Sequence, residues 1–210
     1  MAKLHFYFSA MNAGKSTVLL QSNYNYKERG MKTLIFAPSI DTRYGAGKIT
    51  SRIGLQAAAE IINPEFDIFE KVEFEKKLHP EISCVLIDEA HFLSKQQVWQ
   101  LTKIVDQIDI PVLAYGIRTD FQGEPFPGSL YLLALADQLI EIKTICHCGS
   151  KATMNMRIDS EGQKVQEGAQ VQIGGNDMYI ATCRKHFSEG NAGQKKKSKS
   201  QHKQTCFDFG

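Results

Sequence analysis

Residues 7–17, YFSAMNAGKST, constrain this chain more than any other stretch. An apolar run leads through a turn into Gly14-Lys15-Ser16, so a strand, a tight turn and a helix start follow one another directly. Chains place Gly-Lys-Ser at such a junction mainly to hold phosphate. The full pattern, Gly-x-x-x-x-Gly-Lys-[Ser/Thr], reads here Ser9-Ala10-Met11-Asn12-Ala13-Gly14-Lys15-Ser16. Loop N–H groups would converge on phosphate oxygens, and the helix dipole would favour their charge. Lys15 would reach the β and γ phosphates, and the Ser16 hydroxyl would bind Mg²⁺. Gly14 would let the backbone pass close to the ligand. Ser9 breaks the pattern at its first position, where glycine is needed only if φ is positive.

The rest of the chain supplies a sheet for this unit. KLHFYFS, KTLIFAP, CVLID, PVLAYGI and QLIEIK read as buried strands, and their unbroken apolar character suits a mostly parallel sheet covered on both faces. GKSTVLLQSNYNYKER reads as a helix closed by Gly30. Ser94 and Gln97 form a capping box ahead of Val98, Leu101, Ile104, Val105 and Ile108, which repeat at helical spacing. Alternating strands and helices predict an α/β domain over residues 1–143. Residues 40–60 show glycines and charges without periodicity and read as a long functional loop.

In CVLIDEAH, four apolar residues end in Asp88, placing a carboxylate at the carboxyl end of a buried strand, where open α/β sheets hold ligands. Asp88 would support Mg²⁺. Glu89 would point to the other side of the strand end and be available to take a proton. DEAH also spells a helicase box, so an ATP-driven nucleic-acid motor is an alternative. Such motors need two RecA-like domains, and this chain has room for one.

Charge argues the same way. The total is +2, but residues 189–210 carry five lysines against Glu189 and Asp208, leaving about −1 on residues 1–188. The body lacks the basic footprint of a nucleic-acid surface, and no nucleic-acid partner is expected. No apolar run approaches the roughly 20 residues of a membrane span, so no membrane partner is expected either. MAKLHFYF has no cleavage site of a signal peptide, and the cytoplasm is the expected location. The low-complexity end, residues 189–210, reads as a disordered basic tail.

After Lys143 the pattern changes. KATMNMRID, AQVQIGG and MYIATC are short alternating segments separated by glycine-rich turns, as in a small β module over residues 144–188. Five cysteines without a secretion signal argue against a disulfide framework, and Cys146-His147-Cys148 with Cys183-Arg184-Lys185-His186 suggests metal held by two ligand pairs on separate hairpins. Were Cys146 and Cys148 on a strand, both sulfurs would share one face and His147 would lie outside the site. Cys84 reads as a small core hydrophobe, and Cys206 as a bystander in the tail.

SAMNAGKST, DTRYGAGKITSRIG, CVLIDEAHFL, PVLAYGIRTDFQGE, KTICHCGSKATM and IGGNDMYIATCRKH together resemble the type II thymidine kinase family over residues 1–187. In that family the first glycine of the phosphate loop is often replaced. The resemblance implies a RecA-like P-loop NTPase core with a zinc-binding β module carrying a lasso loop. It implies transfer of the ATP γ-phosphate to the 5′-hydroxyl of thymidine, giving dTMP and ADP in pyrimidine deoxynucleotide salvage. Glu89 is then the general base. Residues 9–16 and Asp88, Glu89, Ala90 and His91 bind ATP, His91 standing where the family often has glutamine. Ser16, Asp41, Arg43 and Asp88 support phosphate and magnesium. Phe92, Phe121, Ile173, Gly174 and Tyr179 line the thymidine pocket, with Gly175 beside them in the lasso. Structural Zn²⁺ is held by Cys146, Cys148, Cys183 and His186. Inhibition by dTTP and a homotetramer are further implications. A zinc-and-ATP switch protein without kinase activity is the remaining alternative.

Overall fold

The computed structural model describes residues 1–39, 47–168, 170 and 178–193. In chain order it contains β1 (Leu4–Ser9), α1 (Lys15–Glu28), β2 (Lys32–Pro38), β3 (Lys48–Thr50), β4 (Gln56–Ala58), β5 (Glu60–Ile62), α2 (Ile68–Leu78), β6 (Ile82–Ile87), α3 (Lys95–Lys103), β7 (Val112–Ile117), α4 (Pro127–Leu135), β8 (Gln138–Glu141), β9 (Met154–Arg157), β10 (Tyr179–Thr182) and α5 (Arg184–Glu189).

All five apolar runs enter one six-stranded sheet in the order β5-β2-β6-β7-β1-β8. Every neighbouring pair in it is parallel. The two-residue side-chain period of a strand then sorts the core into two layers. Phe36, Val85, Ile87, Val112 and Ala114 face one way, joined by Ile68 and Val72 of α2, Val98 and Leu101 of α3, and Leu132 of α4. The alternate residues Ile35, Ala37, Cys84, Leu86, Leu113 and Tyr115 face the other way, onto Leu19 and Leu20 of α1. Cys84 is therefore the core residue expected, and burial pushes its thiol up to about 12.

The capping box at the start of α3 is present in both directions, Ser94 with Gln97. The expected helical spacing through Ile108 continues as a π-helical turn, Ile104–Ile108, ending at Asp109 with φ 57°. Gly30 follows α1 with φ 74°, the left-handed geometry expected after that helix. α2 and α4 fill connections that the apolar periodicity leaves unspecified.

The long loop expected over residues 40–60 is corrected by the structure. Residues 40–46 lie outside the described residues, but β3 and β4 pair as an antiparallel hairpin, and β5 extends the edge of β2. Strands of three residues carry too few side chains to show an alternation in sequence. Beyond the sheet, β9 and β10 pair antiparallel, as KATMNMRID and MYIATC suggested. Met156, Ile158 and Phe187 of α5 form a small separate core there. Of AQVQIGG only Gln170 lies among the described residues.

Candidate active site and metal cluster

Ser9 is the last residue of β1 and keeps ordinary strand backbone, so its position makes no demand for glycine. The left-handed positions of the loop are Asn12 (φ 64°) and Gly14 (φ 88°). A Cβ at Gly14 would meet nothing within 4 Å, so glycine is required there by backbone conformation and not by crowding. α1 starts at Lys15 with no side-chain cap, leaving its first N–H groups directed into the loop. Lys15 is buried and lies across the loop, with Nζ 3.4 Å from Ser9 Oγ and 3.5 Å from the Ala10 carbonyl. An ammonium, a helix N-terminus and open space form an anion cradle.

The carboxyl end of β6 faces this cradle across one intervening strand. Ser16 Oγ donates to Asp88 Oδ2 at 3.3 Å, bringing together the two side chains expected at Mg²⁺. Asp88 Oδ1 accepts the Glu89 N–H at 3.0 Å. Glu89 does not continue the strand alternation, contrary to expectation. The chain leaves β6 at Ile87 and turns left-handed at Glu89 (φ 44°, ψ 40°), into a short 3₁₀ turn over Ala90–Phe92. For a residue with a Cβ this backbone costs about 1–3 kcal/mol, and such strain clusters at functional sites. Ala90 and His91 of the expected ATP-binding set lie in this turn and are buried, 0% and 3% exposed. His91 Nδ1 lies 3.5 Å from Glu89 Oε2 and accepts the Ile117 N–H at 3.4 Å.

Of the expected nucleoside pocket, Phe92 is half-buried and edge-on to Phe126 at 5.6 Å. Phe121 is buried beneath the Arg157 guanidinium, 5.2 Å above its ring. Tyr179 is half-buried on β10, directly across from Arg157 on β9. Asp41, Arg43, Ile173, Gly174 and Gly175 lie outside the described residues, as does Cys206.

Residues that sequence reading did not single out complete the crevice. Asn155 is buried, accepts the Met11 N–H at 2.7 Å and donates to the Thr119 carbonyl at 3.0 Å. It thereby joins β9 to the phosphate loop and to the segment after β7. Arg52, in the turn of the β3–β4 hairpin, donates to Asn12 Oδ1 at 2.6 Å. A polar residue within an alternating strand and an arginine in a hairpin turn carry no signal until the tertiary fold brings them to the loop.

The four expected metal ligands do come together: their donor atoms lie within 4.8 Å of one another. Cys146 and Cys148 are not on a strand, as the His147 argument required. They occupy a tight turn, with the Cys146 N–H donated to the Ser150 carbonyl and the Gly149 N–H to the Cys146 carbonyl. The second pair is likewise on no hairpin, since Cys183 caps α5 and His186 lies within it. The His186 Nδ1 atom is 3.3 Å from Cys146 Sγ and 3.5 Å from Cys183 Sγ. A tetrahedral zinc with ordinary Zn–S and Zn–N bonds has S···N edges of about 3.5 Å, so this donor set fits zinc through Nδ1. His147 is exposed and stacks on His186 at 4.2 Å, beside the ligands. Burial raises the Cys146 thiol, but hydrogen bonds from the Cys148 backbone and the His186 ring outweigh it and bring it down to about 6. A thiolate at neutral pH is ready for metal.

The thymidine kinase family model matches residues 2–187. A thymidine kinase of Legionella pneumophila (strain Lens) is 63% identical over 92% of this chain and 93% of its own length. One from Coxiella burnetii is 61% identical over 93% and 100% of the two chains, and one from Shewanella oneidensis 61% over 90% and 98%. A cradle for phosphate, an adjoining acid pair and a three-cysteine, one-histidine cluster thus occur in a chain that belongs to the thymidine kinase family.

Proposed function

We propose that this chain transfers the γ-phosphoryl group of ATP to the 5′-hydroxyl of thymidine, giving ADP and dTMP. The observation that carries the reading is the meeting of Ser16 and Asp88 at 3.3 Å, with Glu89 next in the chain. It brings the phosphate cradle after β1 and the acid pair after β6 together across the end of β7.

Each residue has a physical task. The α1 N-terminus and Lys15 hold the phosphates and offset the charge that develops as the phosphoryl group moves. Ser16 and Asp88 would hold Mg²⁺, which would supply positive charge to neutralise the phosphates. Glu89 accepts the proton of the 5′-hydroxyl as that oxygen attacks. Asp41 and Arg43 add charge support near the phosphates. Phe92, Phe121, Ile173, Gly174 and Tyr179 enclose the nucleoside, excluding water from reactive ATP. The cysteine–histidine cluster would hold zinc, which supplies cross-linking between the 146–148 turn and α5 and no chemistry at the phosphate.

Family membership supports inhibition by dTTP, a homotetramer and a cytoplasmic location. Among the described residues, no helix is long and apolar enough to cross a membrane. The motor reading is not favoured, because the thymidine kinase family model matches residues 2–187.

Incubation with Mg-ATP and a panel of nucleosides tests the activity. ADP release that depends on thymidine is expected. Release driven by RNA or DNA strands, or indifferent to every addition, overturns the reading. Glu89→Gln should lower kcat by about 10²–10⁴-fold with ATP binding retained. Unchanged turnover would remove Glu89 from the role of base.

A further inference from the structure

The geometry points to His91 as a positioning residue that holds Glu89 in its left-handed turn; the inference rests on the reading of Glu89 as the base. Strained backbone persists only where its surroundings over-determine it. Here the 89–93 turn is clamped from two sides, by the tip of β7 and the start of α4. On the β7 side, a Cβ at Gly116 would lie 3.1 Å from His91 N and 3.3 Å from His91 Nδ1. On the α4 side, a Cβ at Gly128 would lie 2.5, 2.8 and 2.9 Å from the carbonyl oxygens of Ala90, His91 and Leu93. At Gly128 a side chain forces the turn to shift, and at Gly116 it requires the turn to give by a few tenths of an ångström.

His91 keys the turn into this clamp. Its ring lies 4.0 Å from that of Phe92 and meets Phe126 edge-on at 4.7 Å. Nδ1 accepts the Ile117 N–H and stands 3.5 Å from Glu89 Oε2. The Ile117 carbonyl in turn accepts the Ser129 hydroxyl of α4. One residue at the β7 tip thus reads the position of both the base-bearing turn and the helix behind it. An Nδ1 that accepts an amide proton leaves the ring proton of neutral His91 on Nε2. The imidazole acts on Glu89 by where it sits, without touching substrate.

A phenyl ring at position 91 fills the space but leaves the Ile117 N–H without an acceptor, whereas glutamine offers an amide oxygen. His91→Phe should lower kcat by about 10- to 100-fold, the scale of a sub-ångström to ångström misplacement of a reacting group. KM for thymidine should stay within about twofold, because the residue acts through the turn and not by contact with the nucleoside. His91→Gln should recover most of the lost kcat. In an E89Q background H91F should add no further loss, because its effect runs through Glu89. An H91F enzyme turning over like wild type, an H91Q enzyme as slow as H91F, or an H91F loss that multiplies that of E89Q overturns the proposal. Should H91F fail to fold, Ser129→Ala enters the same cycle: a loss of about two- to fivefold, absent in the E89Q background, is expected. No change in kcat for S129A then counts against the relay. Failure of the Glu89 reading itself would show separately, as full activity of E89Q alone.

Discussion

The six-stranded sheet and the β9–β10 region solve the problem of holding a functional loop in opposite ways. The sheet buries both faces, with Phe6, Phe36, Val85, Leu86, Ile87, Val112 and Tyr115 inaccessible to solvent. Its phosphate loop is carried on strand ends that the core already immobilises. Among the described residues, the β9–β10 region has a core of Met156, Ile158 and Phe187, with a few half-buried neighbours. So small an apolar area does not offset the entropy of ordering its segments. Among the described residues it also carries the three-cysteine, one-histidine donor set, which fits a metal ion, and Asn155, which fastens β9 to the phosphate loop. One region is stabilised by burial, while the other adds a few directed hydrogen bonds and a donor set that fits zinc.

Metal removal should separate the two most strongly. Coordination contributes on the order of 10 kcal/mol in small metal-folded domains. Chelation should therefore abolish hydrogen-exchange protection in β9 and β10 while leaving β1 and β7 protected. Equal loss in both regions would show that they form one cooperative unit. Acid should act through the same cluster. Metal binds the thiolates and the neutral imidazole, so protons compete with it for the ligands. Metal release into a chromophoric chelator should rise as pH falls.

The next largest effect belongs to the sheet. Phe6→Ala removes a fully buried ring and should cost about 3–5 kcal/mol in denaturant unfolding. Metal content of the folded fraction should not change. Loss of metal together with the sheet would erase the distinction. Smallest is Ser94→Ala, which removes the cap of α3 and should cost about 1 kcal/mol by thermal or chemical melting. A much larger cost would mean that the sheet region depends on local caps more than its burial implies.

These contrasts also divide what was legible beforehand. The phosphate loop, the acid pair after β6, the five main strands and the capping box were readable because each is local: neighbours in the chain create the geometry. The cluster of Cys146, Cys148, Cys183 and His186 was readable as chemistry, but its supports were not. Nothing in Cys-x-Cys distinguishes a strand from the tight turn it occupies, and nothing in Cys-x-x-His distinguishes a hairpin from the first turn of α5. The β3–β4 hairpin and the edge strand β5 were missed because three-residue strands have no periodicity to read.

From sequence alone came the parallel α/β class, the anion cradle and the identity of the acids beside it, since short-range pattern and residue chemistry suffice for these. Tertiary structure alone decided that Glu89 turns left-handed, that Gly128 must lack a side chain and Gly116 packs tightly on His91, and that Asn155 and Arg52 meet the phosphate loop. The reason is sequence distance: Asn155 and Met11 are 144 residues apart, and no local pattern records a hydrogen bond closed by the packing of the whole chain.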